Sequence, residues 1–138
     1  MAKTFTAPFA QTPKTATAIV TTAAGSITGD APTGTVLLMT AGTDGALVTN
    51  ISAIPRATVT ASSLLLYISK DSGTTQRLID SELMNAYTMA TTTQVPKTTF
   101  TRISESTPLR LEASDRLYVA NQVALASGVV FKAEYTDF

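Results

Sequence analysis

Apolar and polar positions alternate with a period of two along most of this chain, the spacing of a strand with one buried face. The clearest case closes the sequence, where Val129, Phe131, Ala133 and Tyr135 alternate with Val130, Lys132 and Glu134. Earlier runs at 15–21, 35–40 and 46–54 are rich in β-branched residues and are bounded by Gly25, Gly29-Asp30, Pro32, Gly34 and Pro55, which mark loops. Asp44-Gly45 lies between two of these runs and is a hairpin signal. The strongest segment is 57–69, ATVTASSLLLYIS. Its Leu64, Leu66 and Ile68 fall on one face and Leu65 and Tyr67 on the other, which predicts a central strand covered on both sides. Lys70-Asp71-Ser72-Gly73 turns the chain back through 74–79, so 57–79 is expected to be a hairpin. Further strands are expected at 98–103, 108–111 and 115–120. Over 81–89 the pattern is ambiguous: Ile79, Leu83 and Tyr87 recur every four residues, which suits a short helix.

About eight to ten short strands at this spacing, without alternating helices, predict an all-β domain, a β-sandwich or jelly roll of antiparallel strands. The sandwich is expected over 15–138. Residues 1–14, MAKTFTAPFAQTPK, show no period and contain Pro8 and Pro13, so they read as an extended N-terminal arm. Phe5 and Phe9 are unusual cargo for a solvated arm. They point either to docking on a neighbouring subunit or partner, or to an arm folded back on its own domain.

Composition narrows the chemistry. There is no His, Cys or Trp. Histidine is the usual general base near neutral pH and the commonest transition-metal ligand, so a Ser-His-Asp or Cys-His site is excluded. Ten basic and ten acidic residues give a net charge of zero, with no basic cluster for nucleic acid or an anionic membrane. No stretch approaches the ~20 apolar residues of a membrane span, and the first residues lack the apolar core of a secretory signal. Charged residues make up 14% of the chain, against about 25% in typical domains. A surface so poor in charge is kept soluble by its many threonine hydroxyls, or is covered by other protein.

The candidate sites each have a plain structural reading beside the chemical one. Asp80 and Glu82 would share one face of a strand, as a carboxylate pair or as two solvated charges. Asp71-Ser72-Gly73 and Asp44-Gly45 offer oxygens but lack the spacing of a calcium loop, and read as turns. Asn50-Ile51-Ser52 matches a glycosylation sequon within an expected strand and reads as chance. Arg110, Glu112, Asp115 and Arg116 flank one turn, where an ion pair closing the loop or bridging subunits is expected; a surface pair is worth about 0–1 kcal/mol. No catalytic, cofactor-binding or metal-binding residue is expected.

Two stretches together resemble a known family. One is Ala57-Thr58-Val59-Thr60 running into Leu64-Leu65-Leu66-Tyr67-Ile68-Ser69-Lys70-Asp71-Ser72-Gly73; the other is Pro108-Leu109-Arg110-Leu111-Glu112-Ala113-Ser114-Asp115-Arg116-Leu117-Tyr118-Val119 with the closing strand 129–135. They resemble the small β-sandwich capsid decoration, or cement, proteins of tailed bacteriophages, although Ser114 stands where that pattern usually has Gly. The resemblance spans 57–79 and 108–135. It implies a homo-oligomer, most often a trimer, made in the host cytoplasm and seated on the outer surface of the virion, where it binds the major capsid protein and stabilises the head. On that reading Phe5 and Phe9 anchor the chain to the capsid or a neighbour, and Arg110, Glu112, Asp115 and Arg116 serve the subunit interface. The alternatives are a tail tube or connector component, and a glycan-binding module using Tyr67, Tyr87, Tyr118 or Tyr135 as a platform.

Overall fold

A computed structural model describes residues 12–25 and 27–138. They form nine strands and, among the described residues, no helix: β1 (Thr12–Val20), β2 (Val36–Thr40), β3 (Ala46–Pro55), β4 (Ser62–Ser69), β5 (Arg77–Met84), β6 (Thr98–Thr99), β7 (Leu109–Leu111), β8 (Arg116–Asn121) and β9 (Val129–Asp137). Every strand pair is antiparallel. One sheet runs β1-β9-β3, with β7 and β6 sharing the far edge of β3; the other runs β2-β8-β4-β5. The chain is a two-sheet β-sandwich, as the period-two pattern requires.

The core lies between the sheets. From β9 it takes Val129, Phe131 and Ala133; from β3, Val48, Ile51 and Ala53; from the facing sheet, Leu64, Leu66, Leu117 and Val119. Val48 and Ile51 are three apart, which strict alternation would put on opposite faces. A bulge between Val48 and Asn50 absorbs the extra residue, so both point inward.

β4 lies between β8 and β5 and is covered on both faces, as its sequence predicts. Leu64 and Leu66 enter the main core, while Leu65 and Tyr67 join Ala120 in a second cluster on the outer side. The β1–β2 connection covers that cluster with Ala24 and Ile27. It is pinned by Ala24 N donating to Asn121 O at 2.7 Å and Gln76 N donating to Asp30 O at 2.7 Å.

Three expectations change. The 81–89 segment is not helical: β5 runs to Met84, and Tyr87 then bridges Val59. A spacing of four is also two strand periods, so residues 79, 83 and 87 fit a strand as well as a helix. Ile79 and Leu83 are accordingly exposed on β5. Asp44-Gly45 does not close a hairpin, because β2 and β3 belong to different sheets; it is a corner between layers. Finally, Thr12, Pro13 and Lys14 are already in β1, so the sandwich begins inside the expected arm. Pro13 is tolerated because β1 is an edge strand. Phe5, Phe9 and the rest of 1–11 lie outside the described residues.

Candidate interaction site

One end of the sandwich gathers the root of β1, the β2–β3 corner, the β4–β5 turn, the β7–β8 turn and the end of β9. Strand register brings them together: Thr12 pairs with Asp137, Asp137 with Ala46, and Ala46 with Leu111, while Ser69 and Thr40 both pair with Arg116.

Two buried carboxylates organise this end. Asp115 Oδ2 accepts from the Glu112 backbone N at 2.9 Å and from Lys70 Nζ at 2.8 Å. Asp137 Oδ1 accepts from Gly42 N at 3.1 Å, and its Oδ2 meets Lys14 Nζ at 2.7 Å. Gly42 O accepts from Ser114 N at 3.3 Å, and Asp115 O accepts from Ala41 N at 2.8 Å, so the two carboxylates are linked through the corner between them. The arrangement is a brace: each acid binds a backbone amide that would otherwise lack a partner, and a half-exposed lysine neutralises it.

The ion pair at the β7–β8 turn therefore differs from the expectation. Lys70, from the β4–β5 turn, takes the role foreseen for Arg110 and Arg116, and it also reaches Glu112 Oε2 at 3.7 Å. Arg110 sits opposite Leu47, exposed, and forms no salt bridge among the described residues. Arg116 instead uses Nη1 to donate to Ser72 O at 3.2 Å and to Tyr118 Oη at 3.4 Å, which holds the β4–β5 turn against β8. Sequence spacing could not show this, because Lys70 is 45 residues away from Asp115.

Ser114 adopts φ 63°, the left-handed conformation that glycine supplies without penalty. The turn thus holds a residue with a side chain in a conformation that strains it. Ser114→Gly is expected to stabilise the fold by up to about 1 kcal/mol, read as a higher urea midpoint at unchanged slope.

Other candidate chemistry resolves into structure. Asp80 and Glu82 do share a face, and both bind the turn after β6: Arg102 Nη1 donates to Asp80 Oδ1 at 2.7 Å, and Thr101 N donates to Glu82 Oε2 at 3.3 Å. Asp71 Oδ1 accepts from Thr75 N at 2.8 Å and from Ser69 Oγ at 3.0 Å, organising its own turn. Tyr67 is fully buried, which removes it from any sugar platform.

Proton affinities follow these contacts. The hydrogen bond to Asp137, with its charge, raises the pKa of Lys14 above 10.5, and that to Asp115 does the same for Lys70. Burial raises Tyr67 above 10.0. In each case the folded value lies above the unfolded one, so the contribution to stability is whole below the unfolded value and is lost as pH rises through the folded one. Asp71 is lowered, chiefly by the Thr75 amide; its contribution is present above pH 3.8 and is lost as pH falls through its folded value. The urea midpoint is therefore expected to drop as pH is raised past about 10. A midpoint that stays level there contradicts the lysine pairing.

The outer face of the β1-β9-β3 sheet carries an aliphatic row beside a mainly hydroxylic one. Ile19, Val130 and Ile54 form one row across it, and Thr17, Lys132, Ser52 and Thr99 the next. Lys132 and Glu134 pair at 3.0 Å. Two shallow depressions of about 350 and 640 Å³ open here, sharing Thr49 and Glu134. Neither has the enclosed apolar shape of a small-molecule pocket.

The fold and this braced end define an all-β protein whose polar clusters, as described, hold loops together. No family model matches the chain, and no curated protein matches it. Among solved structures it is similar to that of Eiger TNF from S. frugiperda, at 11% identity over 93% of this chain and 96% of that one, with a TM-score of 0.42.

Proposed function

We propose that this chain is a structural virion protein of a tailed phage, a decoration protein that binds the outer surface of the major capsid protein shell as a homo-oligomer and stabilises the head. The observation that supports this most is the Lys70–Asp115 contact at 2.8 Å. It joins the two stretches that carry the family resemblance, one at the β4–β5 turn and the other at the β7–β8 turn. β1 begins at the same end, at Thr12. The acidic groups there are engaged in bracing, which suits a rigid contact surface rather than proton transfer. Several such contacts, each weak, gain strength when linked through an oligomer. Phe5 and Phe9 serve as the anchors in this reading, and the exposed Arg110, with Glu112 and Arg116, as the rim of the contact.

The test is co-sedimentation with empty capsids. Deleting residues 2–11 leaves β1 intact and is expected to lower capsid binding at least tenfold, about 1.4 kcal/mol. Unchanged binding removes the arm from the proposal. Failure of the full chain to co-sediment removes the capsid.

A further inference from the structure

We infer that the free edge of β1 pairs, antiparallel and about a two-fold axis, with β1 of a second copy, joining the two β1-β9-β3 sheets into one. This inference stands on the strand edges alone and does not rest on the capsid reading.

An exposed strand edge offers unpaired N–H and C=O groups, and proteins that stay apart blunt such edges with bulges, charges or short strands. Three of the four edges here are blunted. β2 has five residues and a bulge between Leu37 and Met39. β5 carries a bulge at Ile79 and an inward-pointing Asp80, whose Oδ1 accepts from Arg102 Nη1 at 2.7 Å and from Ser81 N at 2.8 Å. β6 and β7 have two and three residues. β1 is guarded only at its start, by Pro13 and Lys14: it pairs with β9 through nine residues without a register shift, and among the described residues no strand lies on its other side. After Lys14 it carries no charge.

The strand is also complementary to itself. The two-fold register that spans the strand is centred on Ala16; Pro13 gives no N–H to it, so its hydrogen bonds come from the residues after Pro13. It sets Thr15 opposite Thr17 of the second copy, a hydroxyl pair of the kind that stabilises sheets. It sets Ile19, 47% exposed in the single chain, opposite Pro13 of the second copy. Lys14, the strand's one charge, faces Ala18 of the second copy rather than another lysine. Its ammonium stays on its own Asp137, 2.7 Å away. No like charges meet, and an exposed apolar side chain gains cover. The match between a long edge, open after Lys14, and a sequence that can face itself names the occupant as a second copy rather than an unrelated strand.

The experiment is sedimentation equilibrium of the full chain beside the double variant Thr15→Lys/Thr17→Lys. Both positions are exposed in the single chain, and in the paired edge they set lysine against lysine. The variant is expected to keep its strand circular dichroism and to have half the native mass of the wild type, whatever larger assembly other surfaces make. Mixing it with Thr15→Glu/Thr17→Glu is expected to restore the paired mass. An unchanged mass in a folded lysine variant, or a wild type that is a single copy at hundreds of micromolar, overturns the inference. The chain has no cysteine, so Ala16→Cys gives a second reading that does not depend on the lysine variant folding. Oxidation is expected to link two copies through residue 16, and not through Ser106→Cys on the exposed 104–106 turn. Absence of that link also overturns the pairing.

Discussion

Gly45→Ala is expected to destabilise the protein by about 3 kcal/mol, a large share of the 5–15 kcal/mol typical of a domain. Two costs add. Gly45 has φ +89°, where any side chain is strained by about 1–2 kcal/mol. A Cβ there would also clash with Leu111 O, a backbone atom of β7 that cannot swing aside. β7 is held in turn by its pairing to β3, so relief requires the corner to open. Gly45 O also accepts from Phe138 N at 3.2 Å, which ties the same residue to the end of the chain. A urea titration followed by circular dichroism checks this. A loss below about 1 kcal/mol would mean that the corner is looser than the contacts indicate.

Asp115→Ala is expected to cost a similar amount, about 3 kcal/mol. The carboxylate is almost wholly buried and binds both the Glu112 amide and the Lys70 ammonium. Removing it leaves a donor without its partner in the β7–β8 turn and loses the tie between that turn and Lys70 of the β4–β5 turn. Asp115→Asn keeps an acceptor for the amide but loses the charge, so it is expected to cost roughly half as much. Because Lys70 is half-exposed, water screens much of its loss, and Lys70→Met is expected to cost under about 1 kcal/mol. The ordering Ala, then Asn, then Lys70→Met is the signature of a carboxylate that braces the backbone first and pairs charge second. Equal effects at Asp115 and Lys70 would contradict it. Asp115 and Gly45 meet through the β7–β8 turn and the corner, so their combined effect is expected to fall short of the sum.

How much of this was legible in the sequence depends on the range of the interaction. The sandwich, the covered β4 and the β4–β5 hairpin follow from period-two alternation and local turn chemistry, which act over a few residues. The helix suggested by Ile79, Leu83 and Tyr87 failed because a spacing of four satisfies both periods. Only a residue at i+3 would have separated them. The Asp44-Gly45 hairpin failed because a turn signal says that the chain reverses locally, not which sheet receives the next strand. The candidate site was half visible. Glu112 and Asp115 were found from their flanking of a turn, but their partner is Lys70, brought in by the β4–β8 register. Asp137 and Lys14 were missed altogether, since nothing near either residue announces a partner at the other end of the chain. Ser114 was recognisable as a departure from Gly, and the turn keeps the left-handed conformation despite it.

The central functional proposal is that the braced end seats on a capsid, with Phe5 and Phe9 as anchors. Hydrogen exchange on the chain alone and on the chain saturating empty capsids tests this most directly. The account predicts saturable binding, with slowed exchange in residues 2–11, 70–73 and 110–116. Absence of binding, or protection confined to the outer edge of β5 around Leu78 and Leu83, would contradict it.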